Sequence, residues 1–460
     1  MIRRLSAFVL AATCAAAPAV AQDGSAGTAV FRGSVPQGTA SAGPLALGLR
    51  DTVDRALQFN LGLLLQDASA DMARGARWRA LSDLLPKVGG TLSARRQVIN
   101  LEAFGFPAPD PIVGPFNTMD ARIGLSQPIV DVRALFDARA AGHAARAATA
   151  GVQSARELVV LVAVNLYLEA VTAASRVDVV RAQQETADAL AAQARDLKAS
   201  GLVAGLDVVR ADVEVQRLKQ RRVAADNARA KALLHLGRAI GLPAGQAVTL
   251  TDPMPYAPLG EVSLDQALRD AYAQRPDYGA AQARLAAAEA SSRAATAELL
   301  PSLRVDADYG TIGQTWGRAH PTYAVAATVR VPVFEGGRAQ ARRIESQAAL
   351  RQRRAELDDL HGRIDVEVRE AVLDVAAAAE ELMAADATVA LASQALTQAR
   401  DRFAAGVTNN LEVTQAQEAV AEAADARLEV LYRHNLAKAA LARAVGAAEQ
   451  AVTTSLGGSK

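Results

Sequence analysis

The chain has 460 residues and a net charge of +1, which gives no support to a nucleic-acid partner. Hydrophobic residues make up 51% of it, but aromatic residues only 4%. This alanine-rich composition is typical of long, closely packed helices and disfavours a thick globular core.

The first 21 residues are predicted to be a secretory signal peptide. Residues 1–4 carry two arginines, residues 5–16 form an apolar run, and Ala19-Val20-Ala21 is a small-x-small cleavage site. A membrane anchor is the alternative, but the run is short and ends at Pro18. Cys14 is the only cysteine, and the Ala-Ala-Thr before it is a poor context for lipidation. We therefore expect a mature protein without thiols or disulfides.

Residues 22–48 are rich in Gly, Ser, Ala and Pro and predict a flexible leader. A first structural repeat follows at 49–243. Helical periodicity runs from residue 49 to residue 84 and ends before Pro86. The pattern predicts four leucines on one face of this helix: Leu57, Leu61, Leu64 and Leu65.

Period-two alternation then predicts strands at about 87–99 and 118–128, joined by a long loop. From Asp131 a helical pattern continues for about 70 residues, on the order of 100 Å. A glycine turn and a return helix complete a hairpin over 130–241. No later segment is expected to be apolar enough for a membrane helix, so membrane contact would come from the strands.

The same plan returns after a proline-rich linker at 244–262. The second repeat, 263–446, contains strands at about 302–310 and 321–332 and a hairpin at 336–446, before a tail at 447–460. Gly241 of the first repeat matches Gly446 of the second. The chain is therefore predicted to be an internal duplication of a helix–strand–strand–helix–helix unit.

The strands have the length that crosses an outer membrane, but four strands cannot close a barrel, and open edges are not tolerated in lipid. Copies of the chain would supply the rest, and twelve strands from three copies leave a pore. The polar side of the strands would face the lumen, with these charged residues: Arg304, Asp306, Asp308 and Arg330. A soluble sandwich with one solvated face is the alternative.

These features together resemble the TolC family of outer-membrane efflux proteins. The resemblance rests on the duplicated unit, the Leu-Pro before each strand pair, Gln127-Pro128, the Val-Pro-Val-Phe-Glu-Gly-Gly starting at Val331, and both glycine turns. It implies a mainly α fold with membrane β: a homotrimer with a twelve-stranded β-barrel continuous with a long periplasmic α-helical barrel. It also implies an exit duct in outer-membrane lipid, working with a periplasmic adaptor and an inner-membrane transporter of the resistance-nodulation-division (RND) or ATP-binding-cassette (ABC) type. A periplasm-spanning coiled-coil or adaptor protein without a pore is the alternative.

The resemblance also implies roles for the two turns. They would be the periplasmic tips that dock the adaptor. The alternative is that the two glycines only end their helices. The docking residues would be Gly201, Leu202, Val203, Gly406 and Val407, with Arg195 and Arg402 upstream.

Beside the tips, the resemblance implies a gate. Glu412 would form a negative collar around a narrow axis. Three residues further on, where relatives have a second acidic residue, this chain has Gln415. In the first repeat, Asp207 would hold the place equivalent to that of Glu412. In relatives, contacts between this aspartate, a basic residue and a tyrosine keep the tip closed. This chain has Thr408 and Phe403 in place of the basic residue and the tyrosine, so it departs from that pattern.

Catalytic signals are weak. Five scattered histidines have no metal-ligand spacing, and no phosphate loop or nucleophile motif is present. We expect a protein that is not an enzyme and has no cofactor or metal.

Overall fold

The computed structural model describes residues 30–41, 43–107, 109–201, 203–252, 254, 260, 262–405, 407 and 410–454. The predicted signal peptide and three predicted tip residues, Leu202, Gly406 and Thr408, lie outside the described residues.

The first repeat follows a short strand, β1, at Leu45–Leu47. Its elements are α1 (Leu49–Phe59), α2 (Leu61–Ser82), β2 (Lys87–Asn100), β3 (Ile112–Val130), α3 (Val132–Ala199) and α4 (Gly205–Ala239).

The second repeat follows strand β4 at Val248–Leu250. Its elements are α5 (Leu264–Gln274), α6 (Pro276–Ala297), β5 (Ser302–Gly313), β6 (His320–Arg330), α7 (Arg338–Ala404) and α8 (Asn410–Ala444), followed by α9 (Ala448–Thr454). Matching helices of the two repeats have 11 and 11, 22 and 22, 68 and 67, and 35 and 35 residues. This correspondence confirms the predicted duplication.

The helix predicted over 49–84 is broken at Asn60. The Asn60 side chain accepts a hydrogen bond from the Leu63 amide (3.3 Å) and donates one to the Phe31 carbonyl (2.6 Å), so it caps α2 and ties it to a distant segment. The predicted leucine face is largely open to solvent along α2 in the single chain. Leu61, Leu64 and Leu65 are 37%, 42% and 54% exposed in the single chain.

The membrane-length strands form one antiparallel sheet in the order β2-β3-β5-β6. β3 begins at Ile112, six residues before the predicted start, so the loop between β2 and β3 is shorter than expected. β1 and β4 pair in parallel as a separate two-stranded sheet. Within the described residues, β2 and β6 are the two edge strands of the long sheet.

Each repeat has its own core where its shorter helices pack against its long helix. In the first, Val53 of α1 and Leu236 of α4 surround Val160, Val164 and Tyr167 of α3. In the second, Ala267 and Ala271 of α5 pack on Ile364 and Val368 of α7. Both cores lie along the middle of the long helices, away from the tips.

The expectation that no segment after the signal peptide is apolar enough for a membrane helix is wrong. A stretch of α3 is long and apolar enough to cross a membrane, and α3 is the one helix of this kind within the described residues. However, 56% of that stretch is buried in the protein, because it forms the centre of the first core. Its hydrophobicity serves packing here.

Gly241 and Gly446 occupy equivalent turns after the return helices. Their φ values are +74° and +81°, which an L side chain rarely adopts. A Cβ at Gly241 would lie 2.6 Å from the Cβ of Phe59, and one at Gly446 would lie 2.9 Å from the backbone nitrogen of Arg275. Each turn packs closely against the junction of two helices, α1 and α2 for Gly241 and α5 and α6 for Gly446. A side chain does not fit at either position.

Candidate functional site

The first tip is the turn between α3 and α4. Gly201 adopts φ +72°, and its amide donates to the Lys198 carbonyl at 2.9 Å, which ends α3 in a left-handed turn. Just behind the turn, Arg195 of α3 forms an ion pair with Asp212 of α4. The hairpin is thus closed by backbone geometry and by one surface ion pair.

The second tip joins α7 and α8. The Val407 amide donates to the Arg402 carbonyl at 3.0 Å, and the side chain of Val407 is 71% exposed. Arg402 Nη1 donates to Glu412 Oε1 at 2.9 Å, again across a hairpin. The predicted collar carboxylate is therefore paired with the upstream arginine of its own tip.

An apolar cluster holds the two tips together. Phe403 is 5% exposed and packs with Ala399 and Val413 of its own hairpin. Three residues of the first hairpin and one more of α7 cover this group: Leu190, Leu197, Val203 and Leu396. The ring at position 403 therefore contributes packing between hairpins, which a phenylalanine can do as well as a tyrosine.

The remaining predicted gate residues lie within the first two turns of α4 and α8. Asp207 is largely buried, with 15% of its side chain exposed, and lies 3.7 Å from Arg210. Gln415 is exposed on α8. The structure thus brings Phe403 and Val203 into one cluster.

Reasoning from the sequence missed a polar bridge between the hairpins. Glu214 of α4 is 8% exposed and accepts a hydrogen bond from Arg217 Nη2 at 3.0 Å, while Arg217 Nη1 lies 2.7 Å from Glu418 Oε1 on α8. The hydrogen bond to Glu214 is the main reason that the pKa of Arg217 is raised above its ordinary value. The i,i+3 spacing in the sequence predicts a pairing of Glu214 with Arg217. It does not predict the contact with Glu418, which lies on another helix.

The sheet has one apolar and one charged face. Cross-strand neighbours Val88, Leu125, Ala307 and Val325 share the first face. The predicted lumen residues Arg304, Asp306, Asp308 and Arg330 all lie on the second. Since most of the apolar face is exposed in the single chain, the sheet has the amphipathic pattern of a membrane barrel wall.

Arg122 of β3 is a further residue of the charged face that the sequence pattern did not single out. It donates to Asp120 at 2.9 Å, to Asp308 at 2.5 Å and to the Thr322 hydroxyl at 3.2 Å. Its side chain crosses the backbone of β5 at Gly310, where a Cβ would lie 2.6 Å from Arg122 Cγ. This network links three strands on the polar side.

A charged cleft of about 380 Å³ lies where the sheet meets the helices. On the side of the sheet it is lined by Arg304, Asp306 and Arg330. On the side of the helices the cleft is lined by Glu298, with 5% of its side chain exposed. Its carboxylate lies 3.1 Å from Arg342, 3.3 Å from Arg338 and 3.7 Å from Arg133. Burial raises the pKa of Glu298, but the hydrogen bond from Arg342 and the arginine charges outweigh it and hold the pKa below its ordinary value. The cluster therefore stays ionised and fastens α6 to α3 and α7.

Comparison with known proteins identifies the class to which this fold belongs, the outer-membrane efflux channels. The sequence profile of the outer membrane efflux protein family matches residues 52–242 and 267–447, one match for each repeat. The chain belongs to this family and is an outer-membrane channel. Family members act as trimers in tripartite efflux or secretion systems, with adaptor and pump partners.

Two relatives are similar in sequence. Protein CyaE of Bordetella pertussis is 29% identical over 330 residues, which cover 68% of this chain and 69% of that protein. Pyoverdine export outer membrane protein OpmQ of Pseudomonas putida is 30% identical over 188 residues, 39% of this chain and 38% of that protein.

Solved structures share the fold. VceC from Vibrio cholerae, an outer membrane protein, superposes with a TM-score of 0.74 at 19% identity, over 87% of this chain and 96% of that one. The open state of the MtrE outer membrane channel from Neisseria gonorrhoeae gives 0.73 at 19% identity, over 90% and 95%. The predicted fold class, a β-barrel continuous with an α-helical barrel, is thereby confirmed.

Proposed function

We propose that three copies of this chain close a twelve-stranded barrel in outer-membrane lipid and form a passive exit duct through it. The four-stranded sheet carries the proposal. Its edge strands β2 and β6 have 14 and 11 residues, and neither has a second partner strand among the described residues. Unpaired backbone groups are costly in lipid, and strands from neighbouring copies would pair them.

The tips are the proposed docking surface for a periplasmic adaptor, which would connect the duct to an inner-membrane transporter of the RND or ABC type. Gly201 and Val407 lie at the extreme ends of their hairpins, and the Val407 side chain is exposed there. The upstream arginines Arg195 and Arg402 have carboxylate partners within their own hairpins, so they would shape each tip more than contact the adaptor directly. Cargo would be selected by the transporter.

The proposed constriction is a ring of three Glu412 carboxylates near the tips. Each is paired with Arg402, so the ring would be less negative than three free acids. We also propose that the chain itself catalyses no reaction and needs no cofactor.

Adaptor docking can be tested with two glycines of the same conformation. Gly201 and Gly245 both have positive φ, +72° and +86°, and a Cβ at either would meet nothing within 4 Å. Gly201→Glu should abolish site-specific crosslinking to the adaptor while the heat-sensitive trimer persists in outer-membrane fractions. Gly245→Glu, which lies in the turn after α4, is the control and should crosslink normally.

Two results would contradict the proposal. Normal crosslinking of Gly201→Glu would remove the tips as the docking surface. Absence of a heat-sensitive trimer in the parent protein would remove the shared barrel.

A further inference from the structure

A groove between the two hairpins, behind the tips, has the features of a small-molecule site. Helices α3, α4, α7 and α8 enclose a cavity of about 270 Å³. Aliphatic side chains line most of it, among them Val179, Leu218, Leu396 and Val420. Its size is just below the usual range for small-ligand pockets, which are mostly apolar and hold a few polar groups.

The polar groups of the groove are unequally satisfied. Glu214 is paired with Arg217, which it shares with Glu418, as described above. Arg400 of α7 lines the same groove, and its Nε–H is buried without a hydrogen-bond acceptor among the described residues. It also forms no ion pair within the part of the chain that the structure describes. Arg400 is half-buried as a whole, and an anionic oxygen beside its buried Nε–H would add a charge-assisted hydrogen bond.

We propose that this groove binds an amphipathic monoanion, such as a medium-chain carboxylate, with its chain among the aliphatic residues and its head group on Arg400. A carboxylate supplies the acceptor that Nε–H lacks, and a chain of about ten carbons suits the small apolar volume. Membrane lipid is a poor occupant, because Thr186 at the groove lies about 80 Å along α3 from its first residue Val132. The ligand would arrive from the periplasm or with the cargo.

The position of the groove gives binding a consequence. Its walls come from both hairpins, and the Arg217–Glu418 bridge lies beside it. A ligand that fills the groove in this arrangement stabilises the two hairpins of one chain in their present relation. The inference goes beyond the duct function and does not depend on how the tips meet an adaptor.

Calorimetric titration of sodium decanoate into the full-length protein in lipid nanodiscs tests the site, after subtraction of the heat for the same titration into empty nanodiscs, which measures partition into lipid. We expect a dissociation constant on the order of 0.1–1 mM. Decyltrimethylammonium, which has the same chain and the opposite charge, should not bind measurably in the groove. This comparison needs no variant and therefore cannot be lost to misfolding.

Variants then assign the head group. Arg400→Leu should weaken decanoate binding about 10- to 100-fold, the loss of a charge-assisted hydrogen bond, whereas Arg400→Lys should retain part of it. Arg363→Leu, on an exposed part of α7 outside the groove, is the matched control and should bind normally. Failure of the parent to bind decanoate would overturn the proposal. Equal affinity for the ammonium ligand, or for decanoate in Arg400→Leu, would overturn it as well. Ion conductance of the parent in bilayers reports separately on the duct.

Discussion

Gly241 should be one of the positions in the chain least tolerant of a single added methyl group. Replacing it with alanine imposes φ +74° on an L residue, which costs about 1–2 kcal/mol, and places a Cβ 2.6 Å from the Phe59 Cβ. Overpacking of this kind typically costs about 1–3 kcal/mol. The reduced entropy of the unfolded chain returns about 0.4–1 kcal/mol. We therefore expect Gly241→Ala to destabilise the fold by about 2–4 kcal/mol.

Gly245→Ala separates the two contributions. It has φ +86°, but its Cβ would meet nothing within 4 Å, so it carries the conformational strain alone and should cost about 1 kcal/mol or less. Thermal unfolding followed by circular dichroism at 222 nm, together with trimer dissociation on semi-native gels, would measure both variants. If Gly241→Ala is no less stable than Gly245→Ala, the close approach of Phe59 does not constrain the turn and the reasoning fails.

Three further predictions follow from the same structure. Gly446→Ala should be at least as damaging as Gly241→Ala in the same melts, because its Cβ would meet backbone at 2.9 Å, which cannot rotate away; a smaller effect would contradict the equivalence of the two turns. The carboxylate of Glu298 has a pKa below its ordinary 4.5, so its contribution to stability is fully present above pH 4.5 and is lost as the pH falls through the lower folded value. Glu298→Gln should lower the melting temperature at pH 7 and flatten the decline below pH 4.5, and an unchanged acid limb would show that other carboxylates control it. Glu412→Ala should reduce cation selectivity in single-channel recordings, and selectivity equal to that of the parent would count against the collar.

Local patterns in the sequence determined most of the architecture. The 3.6-residue period defines the long helices, and period-two alternation defines both faces of the sheet, because these repeats follow from backbone geometry alone. The glycine turns and the matched prolines were sufficient to reveal the duplication. Even the alternation of Arg304, Asp306 and Asp308 on one face is a local property, and the register of the strands agrees with it.

Tertiary structure decided the features whose partners are distant in the chain. Asn60 breaks the helix predicted over 49–84 because its side chain bonds Phe31, and Arg217 bridges the hairpins only because α8 brings Glu418 alongside. Gly310 is required because both the Ala121 carbonyl oxygen and Arg122 of the neighbouring strand would clash with a Cβ there. Such contacts depend on which elements pack together. Periodicity along one helix or strand carries no information about the side chains that the neighbouring element presents.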